Sequence, residues 1–285
     1  MAEASTRGPE ATARRGVGAG EGPVIAVKDL VTHYGDREIL HGVSVDIHHG
    51  EIMVIMGGSG SGKTTLLRHL LGLERATSGS IELLGHELTT MSEVELYELS
   101  KKIGVAFQGG ALFSSMTVAD NVMLPLVEHT KLDPETMEIM MRLKLEVVRL
   151  GGFEHLMPSE LSGGMIKRTA FARAVIMDPA VLFADEPSAG LDPVVSSSLD
   201  ELILELRDAL GMTIVVVTHE LDSAFRIADR ITILDKGDVL ITGSVDEIRA
   251  SDNERIQNLL NRRFEEEELD PDEYLARLTG EDSRD

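Results

Sequence analysis

A glycine-rich stretch from Gly57 to Thr64 has the residue types and spacing needed to bind phosphate groups. It fits the pattern G-x-x-x-x-G-K followed by Ser or Thr, and it stands between an apolar run and an apolar-periodic segment, as in a strand–loop–helix unit. Glycines let backbone N–H groups turn toward phosphate oxygens, and the N-terminus of the following helix adds the positive end of its dipole. The stretch is therefore predicted to bind a nucleoside triphosphate.

Each position of this stretch has an expected contact. Lys63 is expected to bridge the β- and γ-phosphates, Thr64 to place its hydroxyl on Mg²⁺, and Thr65 to add a phosphate contact from the same helical turn. The predicted nucleotide contacts are Gly57, Gly58, Ser59, Gly60, Ser61, Gly62, Lys63, Thr64 and Thr65.

Polar residues also follow three other apolar segments. The runs 103–107, 181–185 and 213–217 are near-continuously apolar, which is typical of parallel strands covered on both faces. In open α/β sheets, ligands bind beyond the carboxyl ends of such strands. The residues at these ends are Gln108, the pair Asp185 and Glu186, and His219.

These side chains suit the hydrolysis of a phosphoanhydride. Asp185 is expected to hold Mg²⁺ directly or through its waters, and Glu186, one residue further on, to polarise an attacking water. His219 is expected to orient that water and the γ-phosphate. None of the other histidines shows metal-ligand spacing, so no zinc site is predicted.

The surrounding elements predict an α/β fold. Apolar alternation at Val43, Val45 and Ile47 predicts an antiparallel β region that opens the domain. A helix is predicted over 134–150, with Asp133 as its N-cap and a proline at its first position. We therefore expect a parallel-sheet core with an antiparallel β subdomain and a helical subdomain at about 109–175.

Composition excludes several classes of protein. The 285 residues include no cysteine, so disulfide frameworks and thiol nucleophiles are excluded. The net charge of −22, without a local basic patch, argues against nucleic acid as a partner. No apolar run approaches the roughly 18 residues that span a bilayer, so the chain is not expected to be a membrane protein itself.

The two ends of the chain differ from its body. Residues 1–22, rich in Ala and Gly, are predicted to form a disordered tail. Residues 264–285 contain ten acids and two bases, and their charge run is read either as solvated or as an arm. In the second interpretation, Asp270 and Pro271 begin a short helix whose apolar face must dock on another protein.

The motifs together resemble the ATP-binding subunits of ABC transporters. GGSGSGKT matches Walker A, VLFADE matches Walker B, and 161-LSGGM-165 matches the ABC signature loop, which few other P-loop families have. The resemblance covers roughly residues 24–250, and we place the ABC ATPase domain at 23–263. It implies a P-loop ATPase with a RecA-like core.

The resemblance also implies roles for further residues. Tyr34 would stack on adenine, Gln108 would form the Q-loop and contact Mg²⁺, and His219 would be the switch histidine. The stretch 188-SAGLD-192 corresponds to the D-loop, which places Asp192 among the nucleotide-site residues.

The signature loop has a physical interpretation as a second phosphate cradle. Ser162, Gly163 and Gly164 precede a helix predicted from about Met165 to Met177, whose N-terminus favours an anion. In the family, the signature of one subunit closes over the ATP held by the other. Since this chain has one nucleotide domain, the resemblance implies a homodimer that encloses two ATP molecules.

Other segments resemble one branch of the family. The strings 107-FQGGALFSSMTVADNV-122 and 157-MPSELSGGMIKR-168 look like the ATPase of Mla-type phospholipid transporters. The resemblance implies integral-membrane permease subunits, an MCE-domain protein, a small cytoplasmic accessory protein, and a peripheral position on the cytoplasmic side of the inner membrane. Apolar Ala111, Leu112, Phe113 and Met116 suit either a groove for a permease helix or subdomain core.

Three other functions remain open at this point: a soluble ABC protein of DNA repair or the ribosome, a transporter of another substrate, and a regulator without turnover. Long coiled coils, zinc insertions and a second nucleotide domain, which mark the soluble members, do not fit this sequence. The presence of Lys63, Asp185, Glu186 and His219 argues against a regulator without turnover. Co-purification with an integral membrane protein separates transporter from soluble protein.

Overall fold

Two β-sheets share a layer of buried aliphatic side chains, and the computed structural model describes this arrangement for residues 22–261. The predicted N-terminal tail, apart from Gly22, and the predicted acidic arm at 264–285 lie outside the described residues. The strands are β1 Ile25–Tyr34, β2 Arg37–Ile47, β3 Ile52–Met56, β4 Ser78–Leu83, β5 His86–Glu87, β6 Ile103–Ala106, β7 Val181–Asp185, β8 Thr213–Val217, β9 Arg230–Asp235 and β10 Asp238–Gly243.

The larger sheet has six strands in the order β10-β9-β3-β8-β7-β6. Strands β9, β3, β8, β7 and β6 pair in parallel, and β10 pairs antiparallel with β9. Every residue of β3 and β8 is buried. The near-continuous apolar runs predicted this, because strands covered on both faces have no solvated side.

Successive side chains of β3 enter two different cores. Ile52, Val54 and Met56 pack among the helices on one face, whereas Met53 and Ile55 pack against the smaller sheet and the helix that follows the phosphate loop. This division follows from the two-residue period of a strand. It fixes the orientation of β3, and therefore the point at which the glycine-rich loop leaves the sheet.

The smaller sheet is antiparallel, with the strand order β2-β1-β4-β5. Val43, Val45 and Ile47 of β2 are buried, as their alternation predicts, and the polar residues between them are exposed. A backbone hydrogen bond of 3.0 Å from His41 N–H to the carbonyl of Gly237 links β2 to the turn after β9. The predicted α/β class with an antiparallel β region is confirmed.

Helices cover the larger sheet. They are α1 Lys63–Leu70, α2 Glu93–Ser100, α3 Val118–His129, α4 Pro134–Val147, α5 Gly163–Ala174, α6 Pro193–Leu210, α7 Leu221–Ile227, α8 Val245–Arg249 and α9 Glu254–Leu260. Helices α3, α4 and α5 occupy the region predicted to be a helical subdomain. No helix within residues 22–261 is long and apolar enough to cross a membrane.

Side-chain capping explains where α4 and α5 begin. Asp133 accepts a 2.9 Å hydrogen bond from the N–H of Thr136, and Pro134 occupies the first turn of α4, as predicted. The prediction for α5 was wrong at both ends. Ser162 accepts from the N–H of Met165, so α5 starts at Gly163 rather than Met165, and it ends at Ala174 rather than Met177. The glycines therefore form the first turn of the helix instead of preceding it.

Candidate functional site

The glycine-rich loop joins the carboxyl end of β3 to the N-terminus of α1. The backbone adopts positive φ angles at Gly57 and Gly62, of 157° and 101°. A Cβ on Gly57 would lie 2.2 Å from the carbonyl oxygen of Leu234, and one on Gly62 would lie 2.6 Å from Cδ2 of Leu40. Both positions therefore require glycine, for the turn and for close packing.

The loop also contains a buried hydroxyl group, that of Ser61. Oγ of Ser61 is buried and has no hydrogen-bond partner among the residues that the structure describes. Buried polar atoms are normally paired, so an unpaired one beside backbone N–H groups fits a loop that receives an external polar group. Thr64, in the first turn of α1, is exposed, whereas Thr65 is buried.

Lys63 lies across the mouth of this loop. Its Nζ donates hydrogen bonds of 2.8 Å and 2.9 Å to the carbonyls of Gly57 and Gly58. Burial lowers the pKa of the Lys63 ammonium, and the nearby carboxylates of Glu186 and Asp185 oppose that shift. The ammonium is thus a fixed positive charge that faces two acidic side chains.

A cavity of 860 Å³ opens beside the loop and gathers part of the predicted site. Its lining includes Gly57, Gly58, Ser59, Lys63, Glu186 and His219. Glu220, Leu221 and residues of β9, β10 and α9 complete the wall. Predicted site residues that do not line it are Tyr34, Gly60, Ser61, Gly62, Thr64, Thr65, Gln108, Ser162, Gly163, Gly164, Asp185 and Asp192.

Asp185 and Glu186 stand at the carboxyl end of β7. Burial raises the pKa of the Asp185 carboxyl, and the adjacent Glu186 raises it further, while Lys167 and Lys63 oppose the change. Glu186 has φ 45°, a left-handed conformation uncommon for a side chain other than glycine, and its N–H donates a 2.8 Å hydrogen bond to the carbonyl of Val217. This backbone turn directs the carboxylate toward the end of β8.

Two residues at the end of β8 hold that carboxylate. Nδ1 of His219 lies 2.8 Å from Oε1 of Glu186, and Oγ1 of Thr218 donates a 3.1 Å hydrogen bond to Oε2. Thr218 is buried and was not predicted as a site residue. Its position directly before His219, at a strand end, is the sequence signal that could have indicated it.

Lys167 is a second functional residue that the sequence analysis missed. It lies on α5, and its Nζ donates hydrogen bonds to the backbone carbonyls of Gln108 and Glu186. Burial lowers the pKa of Lys167, whereas Asp185 and Glu186 oppose this effect. The side chain of Gln108 itself is exposed at the carboxyl end of β6. No spacing rule links residues 108, 167 and 186, so only the fold reveals this junction.

Tyr34 lies at the end of β1, beside the last turn of α1. Its ring is 46% exposed, and its hydroxyl donates a hydrogen bond to Oε2 of Glu74. Arg68 donates a 2.9 Å hydrogen bond to Oε1 of the same carboxylate. The ring therefore has one anchored end and a solvent-accessible surface, which an aromatic stacking partner requires.

The signature residues lie against the segment that follows Walker B. Ser162 caps α5, and a Cβ on Gly164 would approach Cγ1 of Val195 to 2.7 Å. Asp192 caps α6 by accepting hydrogen bonds of 3.0 Å and 3.1 Å from the N–H groups of Val194 and Val195. Ser162 and Asp192 are exposed and do not line the cavity beside the phosphate loop, so this corner is accessible to a second molecule.

Comparison with other proteins adds independent information. A family model described as ABC transporter matches residues 40–189. The probable ribonucleotide transport ATP-binding protein mkl of Mycobacterium leprae is 39% identical over 242 residues, which cover 85% of this chain and 70% of that protein. The intermembrane phospholipid transport system ATP-binding protein MlaF of Escherichia coli is 40% identical over 238 residues, covering 84% of this chain and 88% of that protein.

Solved structures share the fold. A dimeric ATP-binding cassette in a post-hydrolysis state, bound to ADP and Pi, superimposes with a TM-score of 0.72 at 30% identity, covering 78% of this chain and 98% of that one. The protein cbiO1 of Clostridium perfringens, part of the ABC transporter complex cbiONQ, gives a TM-score of 0.75 at 28% identity, covering 91% of this chain and 100% of that one.

Proposed function

Because this chain belongs to the ABC transporter family and is an ATPase, we propose that it powers the movement of phospholipid between membranes of the cell envelope. The observation that carries the catalytic part is the convergence of Lys63, Glu186 and His219 on the cavity beside the glycine-rich loop. A cation, a candidate base and an orienting imidazole beside a phosphate cradle suit in-line attack of water on a γ-phosphate.

Different residues bind the nucleotide and accept the proton. The loop N–H groups and Lys63 hold the phosphates, and the ring of Tyr34 stacks on the adenine. Glu186 accepts the proton of the attacking water. Thr218 and His219 fix its carboxylate from two sides, at 3.1 Å and 2.8 Å, so that the base does not have to reorganise during attack.

Mg²⁺ fits the donors available at the loop. Thr64, Gln108 and Asp185 supply hydroxyl, amide and carboxylate oxygens, which are the ligand types that Mg²⁺ prefers alongside phosphate and water. The raised pKa of Asp185 reflects a desolvated carboxylate that a divalent cation would neutralise. When bound, the ion supplies charge stabilisation to the transferring phosphoryl group.

Two copies of the chain are needed for complete sites. Ser162, Gly163 and Gly164 form an exposed corner with Asp192, away from the cavity that contains Lys63. In the proposed homodimer this corner closes over the ATP bound by the partner subunit. The dimeric state of the similar cassette supports such an assembly.

The transport partners are proposed from similarity. MlaF is named as part of an intermembrane phospholipid transport system. By this analogy, the chain acts on the cytoplasmic side of the inner membrane with permease subunits, an MCE-domain protein and a small cytoplasmic accessory protein. Mkl is named for ribonucleotide transport, and that substrate is the second candidate.

The experiment uses the complex isolated from membranes through a tag on this chain. The complex is reconstituted into phosphatidylethanolamine–phosphatidylglycerol vesicles, and fluorescent phospholipid transfer is measured with ATP, with the Glu186→Gln complex as the inactive control. ATP-dependent lipid transfer, absent in the control, is the expected result.

Two results would contradict the proposal. ATP-dependent movement of a labelled ribonucleotide, without lipid transfer, would favour the second substrate. Recovery of the ATPase without any integral membrane protein would favour a soluble ABC protein.

A further inference from the structure

Lys167 occupies an unusual place for a lysine. Lys167 is only 7% exposed, although it lies one turn beyond the exposed signature loop at the start of α5. Lysine seldom becomes buried without a partner, because removing an ammonium from water is costly. Its position therefore needs an explanation beyond the packing of α5.

The ammonium joins two strand ends. Nζ donates to the carbonyl of Gln108, which follows β6, and donates a 2.9 Å hydrogen bond to the carbonyl of Glu186, which follows β7. These are the two positions for which we propose contact with Mg²⁺ and with the attacking water. One side chain thus fixes the backbone of both residues relative to each other.

The contact also explains how a strained residue is held. Glu186 has φ 45°, and such a conformation persists only when its surroundings over-determine it. Its N–H is held by the carbonyl of Val217, its carboxylate by Thr218 and His219, and its carbonyl by Lys167. Lys167 is the one of these partners that comes from α5, the helix of the signature loop.

Arg173 offers a matched comparison on the same helix. It donates hydrogen bonds of 2.8 Å and 2.7 Å to the carbonyls of Ala111 and Gly110, just after the Q-loop. Arg173 is therefore another partly buried cation of α5 that holds loop backbone. These hydrogen bonds go to Ala111 and Gly110 and not to Glu186. Substituting Arg173 therefore tests the effect of losing support for the loop alone, without losing support for the candidate base.

We propose that Lys167 is a positioning residue for hydrolysis: it ties α5 to the backbones of Gln108 and Glu186 and thereby sets the candidate base against the γ-phosphate of its own chain's ATP. This inference rests on the proposed ATPase site. It implies that the rate of hydrolysis depends on the position of α5 relative to Gln108 and Glu186. Nucleotide binding by the glycine-rich loop does not depend on that position.

The first test compares steady-state ATP hydrolysis by wild type, Lys167→Met, Lys167→Arg and Arg173→Met. Lys167→Met is expected to lower kcat about 10- to 100-fold, the range for a misplaced catalytic group, with KM within about twofold. Lys167→Arg should recover most of kcat, because it keeps a cationic donor. Arg173→Met should leave kcat within about threefold of wild type.

Thermal unfolding accompanies each variant. A Lys167→Met protein that folds and binds ATP like wild type but keeps its kcat within twofold overturns the proposal. If Lys167→Met does not fold, Lys167→Leu takes its place, since this side chain also has no hydrogen-bond donor; wild-type kcat in that variant likewise overturns the proposal.

The second test identifies which site Lys167 serves. Heterodimers contain one chain with Glu186→Gln, and Lys167→Met is placed either in the chain that retains Glu186 or in the other chain. Single-turnover hydrolysis should fall only when both Lys167→Met and the intact Glu186 are in one chain. A fall only in the opposite arrangement would assign Lys167 to the signature loop's contact with the partner's ATP and would overturn the proposal.

The two hypotheses fail in different ways. An inactive wild-type chain, or a Glu186→Gln variant with normal turnover, would refute the proposed ATPase site. Normal turnover in Lys167→Met beside an inactive Glu186→Gln would refute only the positioning role.

Discussion

Hydrogen bonds with three neighbouring residues hold the side chain and the backbone N–H of Glu186 in place. The N–H bonds to Val217, one carboxylate oxygen accepts from Thr218, and the other lies 2.8 Å from Nδ1 of His219. Such anchoring leaves the carboxylate few orientations. A substitution that keeps the shape of the side chain should therefore change chemistry more than structure.

Glu186→Gln is expected to bind ATP normally and to lose turnover by about 10²- to 10⁴-fold, because the amide keeps the shape but cannot accept the proton. ATP should then trap a closed dimer, which size-exclusion chromatography detects. A variant that hydrolyses ATP within twofold of wild type would show that Glu186 is not the base.

Lys63→Ala is expected to weaken ATP binding itself, since the phosphates lose a fixed cation that Gly57 and Gly58 hold in place. Calorimetric titration measures this. Lys101→Ala is the matched control, because Lys101 is engaged with Glu98 and Tyr97 away from the loop and should leave affinity unchanged. Equal affinity in both variants would contradict the role of Lys63.

At the residue scale, the sequence predicts groups with a local pattern. Lys63, Asp185, Glu186 and His219 each follow a strand or glycine motif. The structure places Asp185, Glu186 and His219 at the ends of β7 and β8, and Lys63 at the start of α1. Thr218 and Lys167 could not be found with the same ease. Thr218 donates to the carboxylate of Glu186 and Lys167 to two backbone carbonyls, and it is the fold that brings these atoms within hydrogen-bonding distance.

At the scale of elements, a fully buried acid, Glu51, directly precedes β3. Glu51 accepts a 2.7 Å hydrogen bond from the N–H of His48, and Arg230 lies 3.2 Å from its Oε1, but its Oε2 has no partner among residues 22–261. Burial raises the pKa of Glu51, and the contacts with His48 and Arg230 only partly oppose this.

The raised pKa of Glu51 predicts the direction in which the free energy of unfolding changes with pH. A carboxyl with a raised pKa in the folded state favours the protonated form there, so its contribution to the free energy of unfolding falls as pH rises above the unfolded pKa of about 4.3. Wild type should therefore lose stability relative to Glu51→Gln as the pH rises above about 4.3. Urea unfolding of both proteins measures the difference, and a constant difference would contradict the assignment.

The segment between β6 and α3 is held rigidly and exposes an aromatic ring. Buried Asn121 accepts a 2.8 Å hydrogen bond from Phe113 N–H and donates to the carbonyls of Phe113 and Met116. Phe113 is nevertheless 52% exposed, which is unusual for a core side chain. This favours the docking interpretation of Phe113 over the core interpretation.

Phe113→Ala should therefore lower the amount of permease recovered with the ATPase and leave the melting temperature and ATP affinity of the isolated chain unchanged. Leu73→Ala is the control, since Leu73 is an equally prominent exposed apolar residue outside this segment. Unchanged permease recovery together with a lowered melting temperature would show that Phe113 packs in the core and does not bind the permease.

Elements differ in how well the sequence predicts them. The three apolar runs that begin at residues 103, 181 and 213 agree with β6, β7 and β8 within one residue, because strands covered on both faces leave no ambiguity of period. The start of α5 was missed because glycine is a poor helix former. Tertiary contact with Val195 and the Ser162 cap place both glycines inside the helix all the same.

At the scale of the whole molecule, charge is unevenly distributed. Residues 264–285, which lie outside the described residues, have a net charge of −8 out of −22. Their predicted apolar face contains Tyr274, Leu275 and Leu278. We propose that this arm strengthens assembly without affecting chemistry.

Replacing Tyr274, Leu275 and Leu278 by Ser keeps every charge and should still lower the recovery of dimer or complex, as should deletion of residues 264–285. Hydrolysis at saturating protein concentration should be unchanged, because the arm contributes no catalytic group. Full recovery of complex by the triple variant would mean that the arm is only a solvated charge run.

The order of strands in the larger sheet has a consequence for folding during synthesis of the protein. Strand β3, which leads into the glycine-rich loop, lies between β8 and β9, and both are encoded far downstream. Roughly 160 residues separate Met56 from Thr213, and at about 5–20 residues per second their translation takes about 8–30 s. During that interval the growing chain has no lateral partner for β3, and its apolar side chains can be shielded only by elements already made, such as the smaller sheet and α1. ATP therefore cannot stabilise the nascent chain in its native sheet until the ribosome has passed β9.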